Sequence, residues 1–161
     1  MTNDSNSPRI PLLSVEEATR IGKEHGVPSS MAHLNVFRVM SHHPDLASAV
    51  SNLLATLLYK GNKLDERLRE LIIMRIAWRT GSVYEWTQHW RVAERLEVDG
   101  ASVMAVRDWQ KATCLTTADK AVLAATDETI DEGRISDPTW IACCKHLASE
   151  AERIELVLAI S

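Results

Sequence analysis

One segment, from Asp65 to Thr80, is apolar on almost every face that a helix would present to its surroundings. Its apolar residues are Leu68, Leu71, Ile72, Ile73, Met74, Ile76, Ala77 and Trp78. A helix that is apolar all round needs neighbours on every side. The segment therefore predicts a helix buried at the centre of a bundle, and it restricts the chain to folds that can surround such a helix.

The rest of the chain is long enough to form the helices that would surround this segment. The 161 residues suit one domain with a sizeable core, and 45% hydrophobic and 25% charged residues are ordinary for a globular protein. The formal net charge is −4, and the pI is about 5.9. This charge excludes a general electrostatic attraction to nucleic acid or to an anionic membrane.

The first residues carry no targeting pattern. They contain neither a basic region nor an apolar stretch long enough for export, and no apolar run approaches the roughly 20 residues that span a bilayer. We therefore expect a cytoplasmic protein. Residues 1–13 are polar and contain proline, which favours a surface arm, and we expect one domain over 14–161.

The segments on either side of the central one also favour helix. Ser14 and Glu17 have capping-box spacing, a helix at about 30–41 should end before Pro44, and a helix at 44–60 should end at Gly61. Further helices are predicted at 82–98, 100–111, 116–132, 137–147 and 150–161. No segment alternates with period two, so the predicted class is all-α. The last helix reaches Ser161 without a stop signal, and we expect the natural chain to continue.

The three cysteines, Cys114, Cys143 and Cys144, show no C-x-x-C spacing. In a reducing compartment such residues are typically free thiols packed in helices. Adjacent cysteines also lack the spacer that zinc sites use, so we predict no metal.

The candidate site lies in the segment TGSVYEWTQHW, residues 80–90, where two titratable side chains stand among aromatic ones. Glu85 and His89 are four residues apart and share one face of a helix. A carboxylate at this spacing can orient an imidazole and fix its tautomer, as acid–base sites require. The alternative is structural: Glu85 is the third residue after Ser82, so it fits a capping box, and His89 then makes a routine surface pair.

Glu70 adds to the site hypothesis. It lies in the central helix, and the turn at Gly81 folds that helix back along the next one. Residues at similar distances from such a turn come level with each other, so we expect Glu70 near His89. The alternative is a surface ion pair of Glu70 with Arg67 or Arg75.

The stretch LDERLRELIIMRIAWRTGSVYEWTQHWRVAERL resembles the carboxymuconolactone decarboxylase family, which includes the AhpD-like alkylhydroperoxidases. The resemblance rests on the R-E-L helix, the short turn, Y-E-W-x-x-H and the small residue Ala93. Residues 34–46 and 135–140 are also similar, so the resemblance extends from about Asn35 to the end of the chain. It implies an AhpD-like all-α bundle of about six to eight helices, assembled as a trimer or hexamer.

The resemblance also separates two branches of chemistry. The peroxidase branch carries cysteines at the positions of Ser82 and Glu85, together with the glutamate and histidine matched by Glu70 and His89. A serine hydroxyl cannot cycle through sulfenic acid and disulfide. Thiol peroxidase chemistry by that route is therefore excluded here, and any peroxiredoxin activity is inherited only as a family label.

The decarboxylase branch acts on a small unsaturated lactone acid without a cofactor. Loss of CO₂ sends electrons toward a carbonyl, and a carbon must then be protonated. The resemblance implies that His89 donates or shuttles the proton and that Glu85 orients it, with Glu70 or Tyr84 assisting. The substrate-binding candidates are Trp86 and Ser82, with Arg38 and Arg75 as cations for an anionic substrate.

Three hypotheses follow. The first is a cofactor-free lyase or isomerase acting on a small carbonyl or lactone compound. The second is an AhpD-type redox enzyme working through Cys114, Cys143 or Cys144, and the third is a non-catalytic oligomer that binds small molecules. Because the helix at 65–80 and the last helix have more apolar surface than a small bundle needs, we also predict a homotrimer or hexamer. Finally, we expect His89 to face a largely apolar pocket, with Tyr84 or Trp86 on its wall.

Overall fold

Helices account for all the regular structure in the computed structural model, which describes residues 8–161. Within those residues there are ten α-helices, one short 3₁₀ turn and no strand, so the all-α prediction is confirmed. The count exceeds the six to eight expected. The chain divides into two compact units, one up to Lys60 and one from Gly61 to Ser161.

The first unit holds four helices. They are α1 (Val15–His25), α2 (Ser29–Ala32), α3 (Asn35–Met40) and α4 (Pro44–Leu58). The single helix predicted at 30–41 is wrong, because Leu34 takes an extended backbone conformation (φ −68°, ψ 141°) between α2 and α3. The break lets Met31 and Phe37 both reach the buried core of this unit. The Ser14 cap is confirmed, since its side chain accepts a hydrogen bond from the backbone N–H of Glu17.

Of the predicted arm, residues 1–7 lie outside the described part of the chain. The remainder is tied to the first unit: the carbonyls of Pro11 and Leu13 accept hydrogen bonds from His42 Nε2 (2.9 Å) and Arg38 Nε (2.7 Å). The division into an arm and one domain over 14–161 stays a prediction.

Within residues 8–161, no helix is long and apolar enough to cross a membrane.

The second unit holds the other six helices. They are α5 (Glu66–Thr80), α6 (Val83–Arg95), α7 (Gly100–Ala105), α8 (Thr117–Glu132), α9 (Asp137–Cys144) and α10 (Glu150–Ile160). The helix predicted at 100–111 is shorter than expected. It ends at Ala105 and continues as a 3₁₀ turn, Val106–Asp108, whose carbonyls accept hydrogen bonds from Arg75.

Helix α5 lies at the centre of this unit, as predicted, and packs against α6, α7, α8, α10 and the 3₁₀ turn. Its side chains Leu71, Ile72 and Met74 are fully buried. The same helix also buries three charged side chains, Arg69, Glu70 and Arg75. A buried charge destabilises the folded state unless it is paired. The partners of these three side chains therefore show whether the helix has a role beyond packing.

Candidate functional site

The site is built on the helical hairpin of α5 and α6, whose connection is Gly81 and Ser82. Gly81 has the left-handed conformation (φ 68°, ψ 22°), which glycine adopts without steric cost. The backbone N–H of Ser82 donates to the carbonyl of Ala77 (2.9 Å), which closes the end of α5. The Ser82 hydroxyl accepts from the backbone N–H of Glu85 (3.3 Å) and starts α6. So short a turn forces the two helices to run back along each other.

The hairpin brings Glu70 and His89 into direct contact. His89 Nδ1 lies 2.7 Å from Glu70 Oε2, so the predicted proximity of these two residues is confirmed. The Glu70 side chain is completely buried, and that of His89 is 15% exposed. A buried carboxylate beside Nδ1 favours the tautomer in which Nδ1 carries the proton, which leaves Nε2 as the nitrogen that exchanges protons.

Arg69 fixes the other oxygen of the Glu70 carboxylate. Its Nε donates to Oε1 of Glu70 at 3.1 Å, and its side chain is also buried. Each carboxylate oxygen therefore has a partner, and Glu70 is held in one orientation against His89. Arg69 was not among the predicted site residues; the available signal was an arginine beside Glu70 within a segment predicted to be buried.

Glu85 stands on the outer side of the imidazole. Its Oε2 lies 3.6 Å from His89 Nε2, and its side chain is 44% exposed. The Ser82 half of the predicted capping box is observed, but the Glu85 carboxylate is directed toward His89. His89 thus lies between two carboxylates, a buried one at Nδ1 and a solvent-accessible one near Nε2.

The alternative pairing of Glu70 with Arg67 or Arg75 is wrong. Arg67 binds the buried carboxylate of Asp119, and Arg75 forms a two-point ion pair with Asp127. Glu70 therefore pairs with His89 and Arg69.

The two candidate cations for an anionic substrate lie in different surroundings. Arg75 is buried, and besides its contacts with Asp127 its Nη1 donates to the carbonyls of Val106 (2.7 Å) and Arg107 (3.0 Å). Arg38 belongs to the first unit, where its Nη1 donates to Asn35 Oδ1 (3.0 Å) in addition to the Leu13 bond. A substrate-binding role for either residue stays a prediction.

The aromatic residues of the segment form a row beside the hairpin. The ring centroids of Trp78 and Trp86 are 6.0 Å apart, and those of Trp86 and Trp90 are 6.3 Å apart. Trp86 is three residues before His89 on α6, so the two are neighbours on the helix surface. Tyr84 is half-buried in the first turn of α6. An apolar pocket in front of His89 stays a prediction.

The three cysteines are free thiols. Cys143 is buried, its Sγ donates to the carbonyl of Ala121 (3.4 Å), and burial raises the pKa of its thiol to about 11. Cys114 is exposed and Cys144 half-buried. Since the thiolate is the reactive form, Cys143 is suited to packing and not to redox chemistry. Among residues 8–161, no group of three or more His, Cys, Asp or Glu side chains is placed to hold a metal ion.

Comparison with known proteins supplies a family and a fold. The model of the carboxymuconolactone decarboxylase family matches residues 44–128. No curated protein matches the chain.

Three solved structures share the fold. A cysteine-to-alanine variant of the debrominase Bmp8 in complex with 2,3,4-tribromopyrrole has a TM-score of 0.74 at 21% identity, covering 98% of this chain and 84% of that one. An alkylhydroperoxidase AhpD core, a peroxidase-related protein from Ralstonia eutropha JMP134, has a TM-score of 0.73 at 17% identity, covering 96% and 84%. A peroxidase-related protein from Silicibacter sp. TM1040 has a TM-score of 0.74 at 13% identity, covering 99% and 86%.

Proposed function

The chain belongs to the carboxymuconolactone decarboxylase family, and we propose that it is a cofactor-free acid–base enzyme acting on a small carbonyl or lactone compound, as a lyase or isomerase. One observation carries the proposal. His89 contacts the buried Glu70 through Nδ1 and presents Nε2 toward the half-exposed Glu85. An imidazole held in one tautomer, with its other nitrogen accessible, is suited to deliver or accept a proton at a fixed position.

In the lyase reaction the substrate carboxylate leaves as CO₂, and the electron pair of the broken C–C bond moves into the conjugated carbonyl as an enolate. The protonated Nε2 of His89 then gives its proton to the carbon. The carboxylate of Glu70 stabilises the imidazolium while it exists. His89 regains a proton from water through Glu85, whose side chain is solvent-accessible. In an isomerisation, the same nitrogen removes a proton from one carbon and returns it to another.

The developing enolate oxygen needs a hydrogen-bond donor. We propose the hydroxyl of Ser82 for this role, because Ser82 caps α6 seven positions, or two turns, before His89 and so lies on the same side of the helix. Tyr84 lies five positions before His89, on another face, and its assisting role stays a prediction. Trp86 then forms a wall that limits water. The ligand of the Bmp8 variant is a small flat ring, and we propose a ring of similar size here.

A thiol peroxidase is the second candidate, and the residues of the site do not favour it. Ser82 and Glu85 occupy the positions at which that branch carries cysteines. A non-catalytic binder predicts a solvent-exposed Glu85 and His89; the 15% exposure of His89 and its contact with a fully buried carboxylate instead suit a built proton-transfer site.

The test is a paired substitution experiment. A panel of unsaturated lactone acids and other small carbonyl acids is incubated with the protein in D₂O, and NMR follows loss of substrate and deuterium uptake at carbon. We expect His89→Gln to lower turnover at least about 100-fold, the range of general acid–base catalysis. We expect Glu85→Gln to lower it by about tenfold, or about 1.4 kcal/mol of barrier, at a stability cost of about 1 kcal/mol or less.

The matched control is His146→Gln, which removes an exposed histidine at the end of α9. It should leave turnover unchanged. Rates at the level of the parent protein in both His89→Gln and Glu85→Gln, on a substrate that is turned over, would overturn the proposal.

We also propose a homo-oligomer, a trimer or hexamer. Most apolar side chains of α5 pack within its own unit and only Trp78 among them is largely exposed, so α5 gives this proposal little support. The remaining support is α10, whose Ile154, Val157 and Leu158 are exposed and line a groove of about 310 Å³ with Trp140. Sedimentation velocity of the parent chain and of Val157→Glu distinguishes an oligomer from a monomer.

A further inference from the structure

An anionic substrate needs a cation near the site, and this inference rests on the function proposed above. Neither arginine that the sequence suggested is free for the task. The guanidinium of Arg75 donates to Asp127 and to two backbone carbonyls. Arg38 donates to Leu13 and Asn35 within the first unit. The cation has to be sought elsewhere on the second unit.

Arg107, in the 3₁₀ turn after α7, has the right properties. Its Cζ lies 5.5 Å from the ring centroid of Trp78, so the guanidinium covers that indole face. The residue is exposed, and no described carboxylate or carbonyl binds its two terminal nitrogens. The neighbouring acid, Asp108, pairs instead with Lys111 at 3.0 Å. Arg107 therefore keeps two hydrogen-bond-donating groups available for a ligand.

Arg107 is also held in place, which is unusual for an exposed arginine. Its Nε donates to the carbonyl of Met104 (3.1 Å), and its own carbonyl accepts from Arg75 Nη1 (3.0 Å). Arg75 is in turn fixed by the two oxygens of Asp127. A long side chain that is ordered before binding loses less conformational entropy when it binds a ligand.

Two ring contacts lead from Arg107 to α6, the helix that carries His89. From Arg107 the path runs 5.5 Å to Trp78, and a further 6.0 Å leads to Trp86, which neighbours His89 on α6. Trp78 is 48% exposed, so part of its indole is open to a ligand beside the cation. A flat ring can stack there while a carboxylate on that ring meets the guanidinium.

Other arginines near the hairpin are less suitable. Arg79 binds Asp127 and Asp131, and Arg69 binds Glu70. Arg91 and Arg95 follow His89 by two and six positions on α6, which places them on other faces of the helix. We propose that Arg107, presented on the open indole of Trp78, is the residue that selects a carboxylate-bearing planar substrate for the His89 site.

The experiment measures charge preference in binding, independently of turnover. The full chain, with its tryptophan indole nitrogens labelled with ¹⁵N, is titrated with 2-furoate and with 2-furamide, which share shape and differ in charge. We expect 2-furoate to bind at least about tenfold more tightly, with shifts at the indoles of Trp78 and Trp86. Arg107→Gln should bring 2-furoate to within about twofold of 2-furamide and leave 2-furamide binding unchanged.

The matched control is Arg134→Gln, which removes an equal charge from an exposed arginine after α8 and should keep the preference for 2-furoate. Equal binding of the two probes to the parent protein, or a preference that survives in Arg107→Gln, would overturn the role of Arg107 while leaving the His89 chemistry intact. Binding of neither probe would overturn both this inference and the small-molecule site. On a carboxylate substrate, Arg107→Gln should raise KM more than it lowers kcat.

Discussion

Two carboxylates, the fully buried Glu70 and Asp127 with 14% of its side chain exposed, pair with arginines of the same helix, and their other partners differ. Asp127 of α8 receives four donors: Nε and Nη2 of Arg75 (2.7 and 2.8 Å), Nη1 of Arg79 (2.9 Å) and Nε1 of Trp109 (2.9 Å). Glu70 of α5 receives Nε of Arg69 (3.1 Å) and Nδ1 of His89 (2.7 Å). Both acids are paired, so burial alone does not distinguish them.

The difference lies in the partners. The guanidinium and indole groups around Asp127 can only donate hydrogen bonds. Burial alone would raise the pKa of Asp127, but the hydrogen bonds from Arg75 and Trp109 hold it below its usual value. The other partner of Glu70 is an imidazole, a side chain that can both donate and accept a proton. A carboxylate surrounded by permanent donors fixes helices together, whereas one that shares a titratable partner can take part in proton transfer.

The largest effect is expected from breaking the Asp127 cluster. Asp127→Asn leaves the buried Arg75 charge without its counter-ion, which typically costs about 3–5 kcal/mol of unfolding free energy. Urea unfolding at pH 7 measures the loss, with Asp131→Asn as the control because that side chain is 55% exposed. The control should cost about 1 kcal/mol or less. Equal losses in the two variants would contradict a special role for the buried acid.

The second-largest effect is expected on turnover, when Glu70 is replaced. Glu70→Gln keeps the shape of the side chain and removes the charge that stabilises the His89 imidazolium, so we expect turnover to fall at least about 100-fold, or about 2.7 kcal/mol. The substitution also leaves the buried Arg69 beside a neutral side chain, so its loss of unfolding free energy should be of the same order as that of Asp127→Asn. Turnover of the folded variant is therefore the measurement that separates the two acids. If folded Glu70→Gln turns over substrate at the parent rate, both acids are structural.

The smallest effect is a change in how the unfolding free energy depends on pH. The pKa of Asp127 is depressed in the folded state, so its stabilisation is fully present above its unfolded pKa of about 3.9 and is lost as pH falls through the folded pKa. The stability difference between the parent and Asp127→Asn should therefore be constant from pH 7 to about 5 and shrink below about 4. A difference that stays constant to pH 3 in urea titrations would contradict the assignment. Other depressed acids such as Glu128 remain in both proteins and cancel.

Sequence patterns predicted what depends on neighbours along the chain. The caps at Ser14 and Ser82, the turn at Gly81 and the central position of α5 all follow from local signals, and they are observed. The approach of Glu70 to His89 was also predictable, because one tight turn relates the two helices. The position of the candidate site could therefore be predicted from the sequence of this helical hairpin alone.

Patterns could not predict contacts that depend on how separate helices pack. The pairing of Arg75 with Asp127 joins residues 52 positions apart, and no local spacing selects one acid over another. The same holds for Arg107, whose position over Trp78 depends on where the chain turns after α7. Both contacts were missed, because the partners are distant in the sequence.

The two-residue turn between α5 and α6 has a consequence for the order in which the protein assembles. Glu70 and His89 are 19 positions apart, and the chain between them is one helical hairpin. Contacts of low sequence separation form early, because little chain entropy is lost in closing them. During synthesis, both residues are added to the chain before Asp127. We therefore expect the Glu70–His89 contact to form before the Asp127 cluster that later anchors α5 to α8.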